Sequence, residues 1–111
     1  MFNALPKSCA PSLYLVHSYG ITKIGNTVKP RYRFRHLHYE FMDRTGSPLS
    51  KVAFYEGIGG TQLEALAIKH LSQTFPLFRG REYFRCDFSD AMREIEHLGC
   101  LKPTFYTGAY Q

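Results

Sequence analysis

Alternating apolar residues near the start of the chain predict a β-hairpin. Residues 12–17 have the composition of a short strand, with Tyr14 on one face and Leu13 on the other. Residues 18–20 favour a turn, and residues 22–25 predict a second short strand. Because so few residues separate the two strands, we predict that they pair antiparallel.

The first helix and the third strand follow in the pattern. Pro30 suits the first turn of a helix, where its missing N–H costs nothing. From Phe34 onward, apolar residues recur at helical spacing until the breaker at residues 46–48. Residues 51–55 then predict a third strand, and residues 57–60 a glycine-rich turn.

Two more helices alternate with one more strand. Thr61 opens the second helix, whose predicted core stripe is Leu63, Leu66, Ala67, His70 and Leu71. Residues 82–85 predict a last short strand, and residues 88–98 predict a third amphipathic helix that Gly99 closes. The aromatic tail, residues 99–111, suits an edge strand, packing on the core, or a partner.

The order β-β-α-β-α-β-α predicts a single domain, residues 1–111, of the α+β class. We expect a small antiparallel sheet of three to four strands flanked by three helices. A composition with 44% hydrophobic and 15% aromatic residues is rich enough to bury one core, and it excludes an intrinsically disordered chain.

Charge and cysteine usage narrow the class of partner and the compartment. Fourteen Lys and Arg against nine Asp and Glu give a net charge of +5, which favours a polyanionic partner. The three cysteines, among them Cys100, form no CxxC pair, so we expect reduced thiols and a cytoplasmic protein. The run at residues 13–16 is too short for a membrane span or a signal peptide, so we expect no membrane partner.

Four chemically suggestive features follow one another along the chain: Tyr14, residues 23–25 (Lys-Ile-Gly), Arg33 and Glu64. In these features the chain resembles the GIY-YIG nuclease family over residues 12–98. Ser-Leu-Tyr at residues 12–14 stands where the family has Gly-Ile-Tyr, and Lys-Ile-Gly stands where it has Tyr-Ile-Gly.

A compact, phage-associated branch of the family is the best comparison. Glu82-Tyr83-Phe84 resembles the Glu-Trp-Phe segment of that branch, which already favours Lys-Ile-Gly. The resemblance implies a GIY-YIG-like fold and a metal-dependent endonuclease whose expected substrate is DNA, with RNA left open as the alternative. It implies catalytic roles for Tyr14, Lys23 and Arg33, a further catalytic histidine for which His38 is a candidate, and Glu64 as the ligand of Mg²⁺ or Mn²⁺.

The same residue types suit phosphodiester hydrolysis on chemical grounds. A single carboxylate such as Glu64 can hold Mg²⁺ while waters fill its other positions. The planar fork of Arg33 matches phosphate oxygens, and Lys23 offers a point charge. We expect these cations to lower the pKa of the Tyr14 phenol, which could then act as a general base.

Each residue also has a simpler explanation. Tyr14 suits a core position with its hydroxyl at the surface. Thr61 and Glu64 have the spacing of a capping box, which needs no metal. Arg33 belongs to a run of alternating arginines that is typical of a solvated helix face, and His38 falls in the apolar stripe of its helix.

Basic residues around Arg33 predict the contacts with nucleic acid. They are Lys29, Arg31, Arg35 and His36, with Arg44 beside them, and Arg79, Arg81 and Arg85 form a second cluster. Gly25 of the Lys-Ile-Gly motif is also predicted to contact the nucleic acid. Contacts of this kind give affinity without sequence specificity. The alternative function is a catalytically silent domain, a phage-type accessory protein that binds nucleic acid or inhibits a host nucleic-acid-handling complex. A structural interaction module is a third possibility, and the oligomeric state stays open.

Overall fold

The first two strands form the predicted hairpin at the centre of the sheet. β1 (Ser12–Ser18) pairs antiparallel with β2 (Ile21–Thr27), and Tyr14 lies opposite Gly25. The two turn residues, Tyr19 and Gly20, both have positive φ, 46° and 74°. A two-residue turn of this kind matches the twist of the strands that it joins, so the register of the hairpin is set locally.

The computed structural model describes residues 4–99 and 102–107. After the hairpin, the elements are α1 (Pro30–Thr45), β3 (Lys51–Tyr55), α2 (Thr61–Thr74), β4 (Tyr83–Arg85), α3 (Phe88–His97) and β5 (Phe105–Thr107). The strands form one antiparallel sheet in the order β4-β2-β1-β3-β5. The predicted α+β class is confirmed.

The prediction of three to four strands is wrong, because the tail adds a fifth. Phe105 pairs with Phe54 and Thr107 with Val52, so β5 extends the sheet beyond β3. Of the three possibilities for the tail, residues 105–107 therefore adopt the edge strand. Residues 101 and 108–111 lie outside the described residues, as does Cys100.

The sheet separates two cores, because neighbouring side chains on a strand point to opposite faces. Tyr14 and Val16 pack on the face that α1 covers, whereas Leu13 and Leu15 pack on the face that α2 and α3 cover. The helix residues buried in these cores are Phe34, Leu37 and Phe41 of α1, Ala67 and Leu71 of α2, and Phe88, Ala91 and Ile95 of α3.

Helix α2 differs from its prediction at two points. Leu66 was expected in the core stripe, but 51% of it is exposed, whereas Ala67 and Leu71 are buried and Ile68 packs against them. The buried face is thus centred one position later. The N-cap is Gly60 and has no side-chain hydrogen bond, so the proposed capping box of Thr61 and Glu64 does not form.

The face of the sheet that α1 covers also carries a buried charged residue. Lys23 lies on β2 opposite Tyr83 of β4, and both face α1. None of the helices in residues 4–99 and 102–107 is long and apolar enough to cross a membrane.

A candidate active site between the first helix and the fourth strand

A charged cleft of about 300 Å³ opens between α1 and the segment that leads into β4. Its lining residues are Lys23, Arg33, Glu40, Arg44, Arg79, Gly80, Arg81, Glu82 and Tyr83. Five of them are cations and two are carboxylates, so the cleft combines an excess of positive charge with two acidic groups. A concave, cationic surface of this kind suits an anionic ligand.

Tyr14 connects the central strand to the cleft. Its side chain is 1% exposed, its ring packs edge-on against Phe34, and its hydroxyl accepts a hydrogen bond of 3.1 Å from Nε of Arg33. Gly25, directly opposite on β2, leaves the space that this ring occupies, because a Cβ there would collide with the Tyr14 phenol. Gly25 therefore makes room for Tyr14.

We predicted that neighbouring cations lower the pKa of the Tyr14 phenol, and for the protein without a ligand this prediction is wrong. Burial raises the pKa of this phenol above its ordinary value of 10.0, and this effect exceeds the opposing influence of Lys23 and Arg33. The two cations do act in the predicted direction. At neutral pH Tyr14 is therefore a protonated phenol that positions the Arg33 guanidinium.

The spacing of α1 brings Arg33 together with two other charged residues. Glu40 and Arg44 follow it at seven and eleven positions, which places all three on one face of the helix. The buried residue Phe34 next to Arg33 anchors α1 on the sheet. Arg33 is thus held by packing on one side and by its bond to Tyr14 on the other.

Lys23 is paired, although the sequence suggested a free point charge. It is only 3% exposed, and its Nζ donates to Glu82 at 3.1 Å and lies 3.6 Å from a carboxylate oxygen of Glu40. Burial acts to raise the pKa of Glu40, but the hydrogen bond from the Tyr83 hydroxyl and the charge of Lys23 lower it overall. The carboxylates of the cleft therefore compensate a buried ammonium.

Glu64 lies in the first turn of α2 and interacts electrostatically with this cluster. Burial and then the neighbouring charge of Glu82 raise the pKa of Glu64, whereas Lys23, Arg81 and Arg33 oppose the rise. Its side chain is half-buried but does not line the cleft itself. The sheet and both helix layers thus bring Tyr14, Lys23, Arg33 and Glu64 into one electrostatic neighbourhood.

The carboxylates suit only a loosely held divalent metal ion. No group of three or more His, Cys, Asp or Glu side chains is placed to hold a metal within the described ranges. Mg²⁺, however, commonly uses one or two carboxylates and completes its shell with water and substrate phosphates. Burial is the main cause of the raised pKa of Glu64, and the charge of Glu82 adds to it, so a cation beside the two carboxylates would relieve their repulsion. Glu64 therefore fits a site of this type.

Five of the predicted site residues lie elsewhere. His38 follows Arg33 by five positions, about 140° around the helix, and its ring contacts Tyr39. Of the predicted site residues, only Lys23 and Arg33 line the cleft, and Tyr14, Gly25 and Glu64 lie behind or beside it. Those placed away from it are Lys29, Arg31, Arg35, His36 and His38. Arg31 donates to the carbonyl of Leu5, and Arg35 and His36 belong to another surface.

Sequence reasoning missed the acidic half of the cleft. Glu40 was not considered as a site residue, and Glu82 and Tyr83 entered only through the resemblance. The spacing of Arg33, Glu40 and Arg44 was a signal that could have placed Glu40 beside Arg33. The pairing of Glu82 with Lys23 had no such signal, because 59 positions separate them.

Comparisons of this chain with protein-family models, with curated proteins and with solved structures found no match.

Proposed function

We propose that this protein is a metal-dependent endonuclease, similar in fold to the GIY-YIG nucleases, that hydrolyses phosphodiester bonds of nucleic acid, DNA in the first place. The observation that carries the proposal is the hydrogen bond from Arg33 to the buried Tyr14 hydroxyl at the edge of a cationic cleft. It holds a guanidinium in one orientation, which is what recognition of a phosphate requires.

The cations of the cleft bind and orient the phosphate. Arg33 donates to its non-bridging oxygens, and Arg44, Arg79 and Arg81 neutralise the neighbouring phosphates of the backbone. Lys23 exchanges its carboxylate partners for the phosphate as the charge on the reacting group grows. Electrostatic stabilisation of this kind favours the transition state over the ground state.

Glu64 would hold the metal ion, Mg²⁺ or Mn²⁺. When bound, such an ion neutralises charge on the phosphate and lowers the pKa of a coordinated water. Tyr14 keeps Arg33 in position as a neutral phenol. The role of general base that we expected for it on chemical grounds requires loss of the phenolic proton. Because burial opposes that loss, this role requires activity that increases with pH beyond neutrality.

A cleavage assay with Mg²⁺ or Mn²⁺, run on a supercoiled plasmid and on single-stranded DNA, tests the proposal. We expect cleavage by the wild-type protein and a loss of roughly 100-fold or more in both Glu64→Gln and Arg33→Ala, since each removes a group that acts on the reacting phosphate. Arg93→Ala is the matched control, because Arg93 is exposed and pairs with Asp90 on α3. Equal cleavage by all four proteins would place the reaction elsewhere.

A catalytically silent domain of the same fold is the second candidate. Two observations favour it: Lys23 is already neutralised, and the described residues hold no group of three metal ligands. This candidate predicts salt-sensitive binding of nucleic acid with no cleavage at any metal concentration. In this second candidate function the protein could instead inhibit a host nucleic-acid-handling complex by binding a protein partner.

A further inference from the structure

A second surface on α1 combines exposed aromatic rings with basic side chains. Tyr32, Arg35, His36 and Tyr39 line a shallow, mostly apolar concavity of about 450 Å³. Their spacing of three, four and seven positions places them in one stripe along the helix. We call the stripe formed by these four residues the platform.

The tyrosines of the platform face solvent to an unusual degree. Tyr32 is 58% exposed and Tyr39 is 71% exposed. The ring of Tyr32 lies 4.3 Å from that of His36, at an angle of 43°. Two large rings kept at the surface on a rigid helix expose flat apolar faces to water at a cost in free energy, which stacking against another ring would recover.

The charge around the platform selects the kind of ring. Arg35 supplies positive charge, and the four lining residues, all of them described, include no carboxylate. The cleft on the neighbouring face, by contrast, contains Glu40 and Glu82. Flat faces beside a guanidinium are suited to nucleobases, which carry π faces on an anionic backbone.

The platform lies on the face of α1 next to the cleft. Measured around the helix from Arg33, His36 is turned by about 60°, Tyr32 by about 100° and Tyr39 by about 120° in the same direction. Since an α-helix with its side chains is roughly 10–12 Å wide, a single strand that passes Arg33 can reach Tyr32 and Tyr39 without leaving α1. The two surfaces can therefore contact consecutive nucleotides of one strand.

We propose that the platform binds unpaired bases, so that the substrate is single-stranded nucleic acid or a duplex with a single-stranded flank. This inference rests on the proposed function for the identity of the ligand as a nucleic acid, and it adds the substrate class. Bases inside an intact duplex are stacked on one another and leave no face for Tyr32 or Tyr39.

Binding is measured by fluorescence anisotropy in EDTA, so that cleavage plays no part. The probes are a labelled single-stranded DNA, the same backbone with abasic sites throughout, and the corresponding duplex. We expect the base-bearing strand to bind most tightly, and Tyr32→Ala and Tyr39→Ala each to weaken it about tenfold, a change typical of one lost stacking contact. The affinity of these two variants for the abasic strand should stay within about twofold of the wild-type affinity.

Matched variants separate stacking from general damage. Tyr39→Phe retains the ring and should bind as the wild type does. Tyr19→Asn removes a tyrosine that is even more exposed, at a position with positive φ that Asn tolerates, and it should leave binding unchanged. Circular dichroism of each variant checks that α1 remains folded.

Three results would overturn the inference. The first is equal affinity for the base-bearing and the abasic strand. The second is an unchanged affinity in the double variant Tyr32→Ala, Tyr39→Ala. The third is self-association that this double variant abolishes while nucleic-acid binding persists, which would make the platform a contact between two copies. A protein that binds unpaired bases but cleaves nothing would retain the platform and refute the nuclease.

Discussion

At the scale of single residues, the geometry of the cleft depends on a glycine. Gly25 is the residue opposite Tyr14, and a side chain there would collide with the phenol that orients Arg33. The resemblance predicted a contact between Gly25 and nucleic acid. In the structure Gly25 instead makes room for Tyr14, which in turn holds Arg33 at the cleft. The motif and the fold thus agree on the residue and differ on its role.

Gly25→Ala should lower the free energy of unfolding by roughly 1–3 kcal/mol, the usual cost of an overpacked core. It should also lower affinity for nucleic acid, because Tyr14 and Arg33 must move together. Urea unfolding monitors the first effect and anisotropy the second. In a Tyr14→Leu background the added methyl group should cost much less. An equal cost in both backgrounds would show that the phenol is not the obstacle.

His17 is a buried histidine whose hydrogen bonds require the neutral ring. Its Nε2 accepts from the backbone N–H of Gly20 at 3.2 Å, and its Nδ1 lies 2.8 Å from the hydroxyl of Thr22. Burial, together with the charge of Lys51, lowers the pKa of His17 from 6.5 to about 4. As the pH falls, His17 is therefore protonated in the unfolded chain at a higher pH than in the folded protein.

The sign of the resulting pH dependence follows from this order. Stability from His17 is fully present above pH 6.5 and is lost as the pH falls toward about 4, with a limit of roughly 3 kcal/mol. Denaturant unfolding at several pH values should show this slope, and His17→Gln should flatten it between these limits. A wild-type protein with constant stability across that window would contradict the buried neutral ring.

At the scale of elements, α2 is aligned by a contact with β2. The side-chain oxygen of Asn26 accepts a hydrogen bond of 3.1 Å from the backbone N–H of Gly60, the N-cap of α2. Glu64 lies one turn later, and its own N–H donates to the carbonyl of Gly60. The position of the proposed metal ligand therefore depends on a strand residue far away in the sequence.

Asn26→Ala should cost roughly 1–3 kcal/mol in stability, because the N–H of Gly60 loses its partner. It should also weaken Mn²⁺ binding in a calorimetric titration, since the first turn of α2 loses its anchor. Asn26→Asp keeps an acceptor at the same place and serves as the control. If Asn26→Ala binds Mn²⁺ as tightly as the wild-type protein does, Glu64 is not positioned through this contact.

Local patterns predicted most of the elements, and the exceptions depend on contacts with residues that are distant in the sequence. The hairpin, α1 and β3 were found because turn residues, a proline and periodic apolar residues act over a few positions. In the predicted stripe of α2, Ala67 and Leu71 are buried as predicted, but Leu66 is exposed, because Leu66 and Ala67 are both apolar and only packing decides between them. β5 was left open because three residues gain strand structure only by pairing with β3.

At the scale of the whole molecule, positive charge is concentrated where the proposed ligand binds. The net charge of +5 includes Arg44, Arg79 and Arg81, which line the cleft with Arg33. Each cation that neutralises a phosphate releases counterions, so binding to nucleic acid should weaken as salt is added.

The triple variant Arg44→Gln, Arg79→Gln, Arg81→Gln tests this distribution. The slope of log K against log salt should decrease in magnitude by about one for each phosphate contact that is lost. Titrations at several salt concentrations measure it, with Arg93→Gln as the control outside the cleft. An unchanged slope in the triple variant would mean that the backbone of the nucleic acid runs elsewhere.

The sequence by itself determined the fold class, the hairpin and the residues Tyr14, Lys23, Arg33 and Glu64 as candidates, because periodicity, turn chemistry and motif order can be read along the chain. Only the tertiary structure decided which of them meet and in what ionisation state. It paired Lys23 with Glu82, raised the pKa of Tyr14 and turned His38 away from Arg33. Desolvation and ion pairing depend on neighbours in space, which the order of residues does not specify.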